Sequence, residues 1–137
     1  MVGDNKRCFI FLLKEGRMQK YRYFDVEKRG PVTELHLTDT KFFNTEHYAE
    51  LVDELLAFVE QERPRRLLIN LSRVGYCSTA VMNALIAVQR LLASLPVTGV
   101  MKLCGASEVV DEAIRRLKLD QGVFDIYSTD VDAIHAF

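Results

Sequence analysis

The chain is short of cysteine, has no long uninterrupted apolar run and carries almost no net charge. Each shortage removes a class of protein. Only Cys8, Cys77 and Cys104 occur among 137 residues. They are widely spaced and odd in number, with no CxxC pair and no zinc-ligand spacing, so neither a disulfide framework nor a structural metal is expected. The longest helical apolar stretch is broken by Asn83, Gln89 and Arg90, well short of the ~20 residues a membrane span needs. Cys8–Leu13 is too short for the core of a signal peptide, and no small-residue cleavage site follows it. A net charge of −1 with scattered basic residues lacks the electrostatic footprint of a nucleic-acid binder. Arg63, Arg65 and Arg66 are read as edging a strand, and Arg115 and Arg116 as closing a helix. No phosphate-cradling GxxxxGK[ST] or GxGxxG arrangement surrounds Gly99 or Gly105, so no cofactor is expected. The expectation is a cytoplasmic protein with no membrane segment and no direct nucleic-acid contact.

What remains has ordinary globular composition, 49% apolar and 27% charged. The length suits one domain, which would bury roughly two-thirds of its unfolded surface. Residues 1–20 differ in character from the rest, and Met18 is a credible alternative start. They are read as an N-terminal extension loosely attached to a domain over 21–137, although Phe9–Leu13 could form an added edge strand or a weak homodimer contact.

Hydrophobic spacing predicts the elements. Residues 22–27 and 32–38 alternate with period two around the turn Lys28–Pro31, a hairpin. Thr33, Leu35 and Leu37 are assigned to one face, and Glu34, His36 and Thr38 to a solvated face. Asn44 or Thr45 can cap a helix over about 46–61, whose stripe is Tyr48, Leu51, Val52, Leu55, Leu56 and Val59. Leu67–Leu71 is apolar on both faces except for Asn70, the habit of a strand covered on each side. A helix over 79–94, a strand over 100–104, a helix over 108–117 capped by Ser107, a strand over 124–127 and a short terminal helix from Thr129 or Asp130 complete the series. Charges at both ends of the 108–117 helix complement its dipole. The order predicts an α/β domain with a mixed, largely parallel sheet of four to five strands and helices packed against it.

The junction at 66–92 stands out, because a buried strand turns at once into a helix led by Ser78 and Thr79. On that helix Val81, Ala84, Leu85, Val88, Leu91 and Leu92 form the core side. Thr79, Asn83, Arg90 and Ser94 share the opposite side, flanked by Ile86 and Ala87, with Met82 nearby. This mixed surface suits contact with another protein better than a merely solvated face would. Only one of Ser78 and Thr79 can cap. If Ser78 does, the Thr79 hydroxyl points outward, where a phosphate would meet free amides and the positive end of the helix dipole. It would also place nearly two charges on an apolar-centred contact, which tolerates them poorly.

The stretch Asn70-Leu71-Ser72-Arg73-Val74-Gly75-Tyr76-Cys77-Ser78-Thr79-Ala80 resembles the "DLS-x-V … D-S-S/T-G-L" segment of the STAS family, the domain of anti-sigma factor antagonists. Lys102-Leu103-Cys104-Gly105-Ala106-Ser107 is similar to that family's strand and "G-x-S" turn. Leu117-Lys118-Leu119-Asp120 and Phe124-Asp125-Ile126-Tyr127 resemble its ending. The resemblance spans about 21–137 and implies a SpoIIAA-like fold. It also implies a bacterial signalling role as a binder of a serine/threonine switch kinase or anti-sigma factor, with a PP2C-type phosphatase as a further partner. The family's phospho-acceptor falls on Thr79, and Ser78, Thr79, Met82, Asn83, Ile86, Ala87 and Arg90 would form the partner surface. The family's aspartates fall on Asn70 and Ser78, and its glycine on Val81.

An alternative is a STAS interaction module that is never phosphorylated. A small enzyme using Cys77, Ser78 or His47 is a weaker rival, because a nucleophile needs a positioned base. His36, His47 and His135 are all distant in sequence from residue 78, and no catalytic residue is assigned.

Overall fold

A computed structural model describes residues 18–41 and 43–137, so Cys8 and Phe9–Leu13 lie outside the described residues. Among the described residues six strands, β1 (Met18–Lys20), β2 (Phe24–Arg29), β3 (Val32–Leu37), β4 (Arg66–Asn70), β5 (Val100–Cys104) and β6 (Ile126–Tyr127), form one sheet in the order β1-β2-β3-β4-β5-β6. The first two pairings are antiparallel and the other three parallel. The mixed α/β class is the expected one, with one strand more. β1 falls in the segment read as an extension and pairs with β2, with Gln19 opposite Val26. Three residues are too few to register as a period of two.

The helices among the described residues are α1 (Thr45–Glu62), α2 (Thr79–Ser94), α3 (Glu108–Arg116) and α4 (Asp130–Ala136). All four begin at a polar cap that accepts a backbone N–H, namely Asn44, Ser78, Ser107 and Thr129. Each cap satisfies an amide that the helix itself leaves free. α1 ends at Arg63, which adopts the left-handed conformation.

Successive strand residues point to opposite faces, and the sheet is covered unequally. Leu35, Leu37, Leu67, Ile69, Met101 and Leu103 point into the main core, where Leu51, Leu55 and Val59 of α1, Val81, Leu85 and Val88 of α2, and Val110 and Ile114 of α3 meet them. Phe58 joins this core and stacks edge-on against Phe24 at 5.7 Å, widening the α1 stripe beyond its expected members. Tyr23 ties the start of β2 to α1 through its N–H to Glu54 Oε1 (2.9 Å) and its hydroxyl to Glu50 Oε2 (3.0 Å). On the other face, among the described residues, only α4 packs, and Val32, Leu68, Cys104 and Ala133 form a smaller cluster.

That second face corrects one expectation. Glu34 is not solvated; its exposure is 0%. Arg29 Nη1 donates to its Oε1 at 3.1 Å and Asn70 Nδ2 to its Oε2 at 2.8 Å. Arg29 is itself anchored to Asp130 at the start of α4 (2.9 Å). A carboxylate is held here because a guanidinium from β2 and an amide from β4 replace its water.

Candidate functional site

The strand-to-helix junction is pinned at several points before α2 begins. Leu71 N–H donates to Cys104 O (2.8 Å) and Val74 N–H to Leu71 O (3.0 Å), and both side chains are buried. The buried Thr40 donates its hydroxyl to Tyr76 O at 2.7 Å. Asp39 Oδ1 accepts from Gly75 N–H at 3.4 Å. The turn is therefore held from β5 and from the loop before α1, and it delivers Ser78 to one place.

Ser78 is the cap. Its Oγ accepts from Val81 N–H at 3.4 Å and its carbonyl from Met82 N–H at 3.1 Å. Thr79 is then the first helical residue and is exposed, as are Asn83 and Arg90, while Ile86 and Ala87 are half-buried. These five line one outward surface. Met82 does not belong to it: it is 1% exposed and lies in the main core, with Cys77 Sγ 3.8 Å from its Sδ. The turn folds back over this part of the helix and widens the buried arc. Val81 is also fully buried, so its side chain does not alter the outward surface at the position where the family has glycine.

Between the head of α2 and α3 lies a cavity of about 280 Å³ bordered by Ser78 and Thr79. Tyr76, Val109 and Leu117 line it and are 53%, 57% and 47% exposed. They are three of the six large apolar side chains most exposed among the described residues. Arg116, paired with Glu112 at 2.8 Å, stands at its rim. The sequence reading missed these residues. An apolar residue on the outer side of the short α3 is the signal that could have found Val109.

The groups weighed for catalysis are committed elsewhere. Burial pushes the Cys77 thiol up to about 12, so the thiolate a nucleophile needs is scarce at neutral pH. The His47 side chain closes the capping box of α1, accepting Asn44 N–H on Nδ1 at 3.2 Å. His36 contacts Glu27 on the far face of the sheet (3.0 Å), and His135 is exposed on α4. No histidine lines the cavity. Ser78 has its hydroxyl occupied as a cap.

The class is thus a mixed α/β domain whose candidate site is an exposed threonine at a helix head beside an apolar cavity, and solved structures share the fold. A STAS domain protein from Planctomyces limnophilus is 23% identical, covering 82% of this chain and 95% of that one, with a TM-score of 0.68. An anti-sigma factor antagonist from Mycobacterium paratuberculosis is 21% identical over 91% and 97% of the two chains, with a TM-score of 0.66. A candidate anti-sigma factor antagonist from Thermotoga maritima is 17% identical over 82% and 92%, with a TM-score of 0.71. No curated protein matches the chain in sequence. The family model of the STAS domain matches residues 23–133, and the chain belongs to the STAS family. Among the described residues no helix is long and apolar enough to cross a membrane.

Proposed function

We propose that this STAS domain is a non-enzymatic, protein-binding regulator of the anti-sigma factor antagonist type, and that Thr79 is its switch residue. The observation that supports it most directly is the position of Thr79, exposed one residue past the Ser78 cap and bordering an apolar cavity. The contact surface consists of Ser78, Thr79, Asn83, Ile86, Ala87 and Arg90, extended by Tyr76, Val109 and Leu117. Its partner is a serine/threonine switch kinase or an anti-sigma factor. A phosphate on Thr79 is favoured in the free domain by the adjacent helix start. In the complex the same charge is desolvated against apolar side chains, which drives the partners apart. A PP2C-type phosphatase restores the binding form.

The test is pull-down from the native host with phosphosite mapping, followed by titration of the captured kinase against variants. Thr79→Ala retains the complex and Thr79→Glu weakens it at least tenfold. Equal binding of both variants and the parent would sink the switch. A second reading, a STAS scaffold that is never phosphorylated, draws support from Ser78, which replaces the family's aspartate beside the acceptor. It expects a stable complex with unmodified Thr79 and no phosphosite there.

A further inference from the structure

The sheet face opposite the cavity carries a group of charges that the regulatory reading does not use. Glu27 on β2 and Glu34 on β3 are direct partners across the antiparallel ladder. Like charges placed opposite one another destabilise a sheet, and here one of them is fully buried. His36 joins the pair on the same face. Its Nε2 is 3.0 Å from Glu27 Oε1 and 3.7 Å from Glu34 Oε2. One donor atom from each of the three residues falls within 4.8 Å of the others. The nearby cation is Arg29, whose Nη1 is 3.1 Å from Glu34, 3.9 Å from Glu27 and 2.9 Å from Asp130. Among the described residues, three carboxylates thus face one guanidinium, an excess of negative charge. A divalent cation supplies the matching positive charge.

We propose that Glu27, Glu34 and His36 bind a divalent transition-metal ion, with water completing its coordination. One imidazole and two carboxylates form a donor set suited to zinc or iron rather than to calcium or magnesium. At bonds of about 2.0–2.2 Å, donor atoms in a tetrahedral site stand about 3.3 Å apart. The two separations at His36 bracket that value and the third lies within 4.8 Å, so side-chain shifts of an ångström or so reach it. Glu27, partly exposed, supplies most of the movement. Glu34 stays in place, because Asn70 and Arg29 each hold one of its oxygens. Hydrogen-bonded partners of this kind orient a ligating carboxylate and are a regular part of metal sites. All three ligands stand on paired strands, which position side chains more firmly than loops do. In sequence the signal is Glu34-x-His36 on one strand face with Glu27 across the hairpin, a pattern outside the cysteine and histidine spacings that argued against a structural metal.

The experiment is calorimetric titration of the tag-free full-length chain with zinc chloride near neutral pH, with magnesium chloride as the control. One equivalent of Zn²⁺ binds and raises the thermal midpoint, and Mg²⁺ does neither. His36→Ala and Glu27→Gln, both at partly exposed positions, each weaken binding at least about tenfold. His47→Ala and His135→Ala leave it unchanged. Circular dichroism checks the fold of each variant, and His36→Gln replaces His36→Ala if the latter does not fold. Absence of Zn²⁺ binding by the parent chain, binding that survives the His36 and Glu27 substitutions, or equal affinity for Mg²⁺ overturns the proposal.

Discussion

Asn70 donates its amide to the buried Glu34 across the β3–β4 pairing, Nδ2 to Oε2 at 2.8 Å, while its own Oδ1 accepts Ser72 N–H at 2.9 Å. The position that carries aspartate in the family thus holds a residue able to donate and accept at once. Asn70→Asp keeps the Ser72 bond but sets a second carboxylate against Glu34. Removing the donor to a buried charge costs about 3 kcal/mol, read as a lower midpoint in urea denaturation. Adding Glu34→Gln to that variant supplies a donor again and recovers more than half of the loss. Equal stability of Asn70→Asp and the parent would show that Arg29 alone satisfies Glu34.

Gly105 sits at φ +73°, and a Cβ there would meet Asn70 Oδ1 at 3.1 Å and Ser72 Cβ at 3.2 Å. Gly122 has φ +91° and nothing within 4 Å. Both alanine substitutions carry the left-handed backbone cost of about 1 kcal/mol, and only Gly105→Ala adds a clash. Gly105→Ala is therefore the more destabilised of the two in thermal melts, by a further 1–2 kcal/mol or so.

Ser78 caps α2 through a bond of 3.4 Å, long for a hydroxyl acceptor. Ser78→Ala consequently loses about 0.5–1 kcal/mol, the low end of cap removal. Ser78→Asp, which restores the family's residue, keeps a cap and adds a negative charge at the positive end of the helix. It gains about 0.3–1 kcal/mol at low ionic strength, and salt erases the gain. Thermal unfolding with and without added salt separates the two effects.

Burial pushes the thiols of Cys77 and Cys104 up to about 12 from an ordinary 9.0, and at Cys104 the charges of Glu34 and Asp130 add to the effect. The folded thiols therefore stay protonated at a pH where unfolded ones ionise. Their contribution to stability is complete below about pH 9 and is lost as the pH rises toward 12. Urea midpoints fall across the range from about 9 to 12, and Cys77→Ala makes the decline shallower. A flat profile would contradict the buried placement of both thiols.

Tyr76, Val109 and Leu117 are exposed, so charging them leaves the core intact. Val109→Asp and Leu117→Asp each change unfolding free energy by no more than about 0.5 kcal/mol. Each also weakens the complex with the captured partner at least tenfold. Undiminished binding would confine the contact to α2 itself.

The helices were legible because Asn44, Ser78, Ser107 and Thr129 announce their starts locally, and α2 begins and ends at the expected residues. Glu34 was misplaced because strand alternation reports which residues share a face, not whether a distant element covers that face. Arg29 and the head of α4 provide the cover. Met82 failed for a related reason, since a helical wheel contains no information about the turn that folds over it. The cavity was invisible because Tyr76, Val109 and Leu117 come together only when α3 packs beside α2. Whether Thr79 receives a phosphate is decided by a partner whose sequence is not in this chain.

Because the strands lie across the sheet in the order in which they occur along the chain, every new strand finds its neighbour already made. No strand has to insert between two others, as the first strand of many doubly wound sheets must allow. A chain emerging from the ribosome can extend the sheet one edge at a time. The last edge laid down is Ile126–Tyr127, two residues long. An edge that short offers little backbone for a second chain to pair with, so this side of the sheet does not invite another copy.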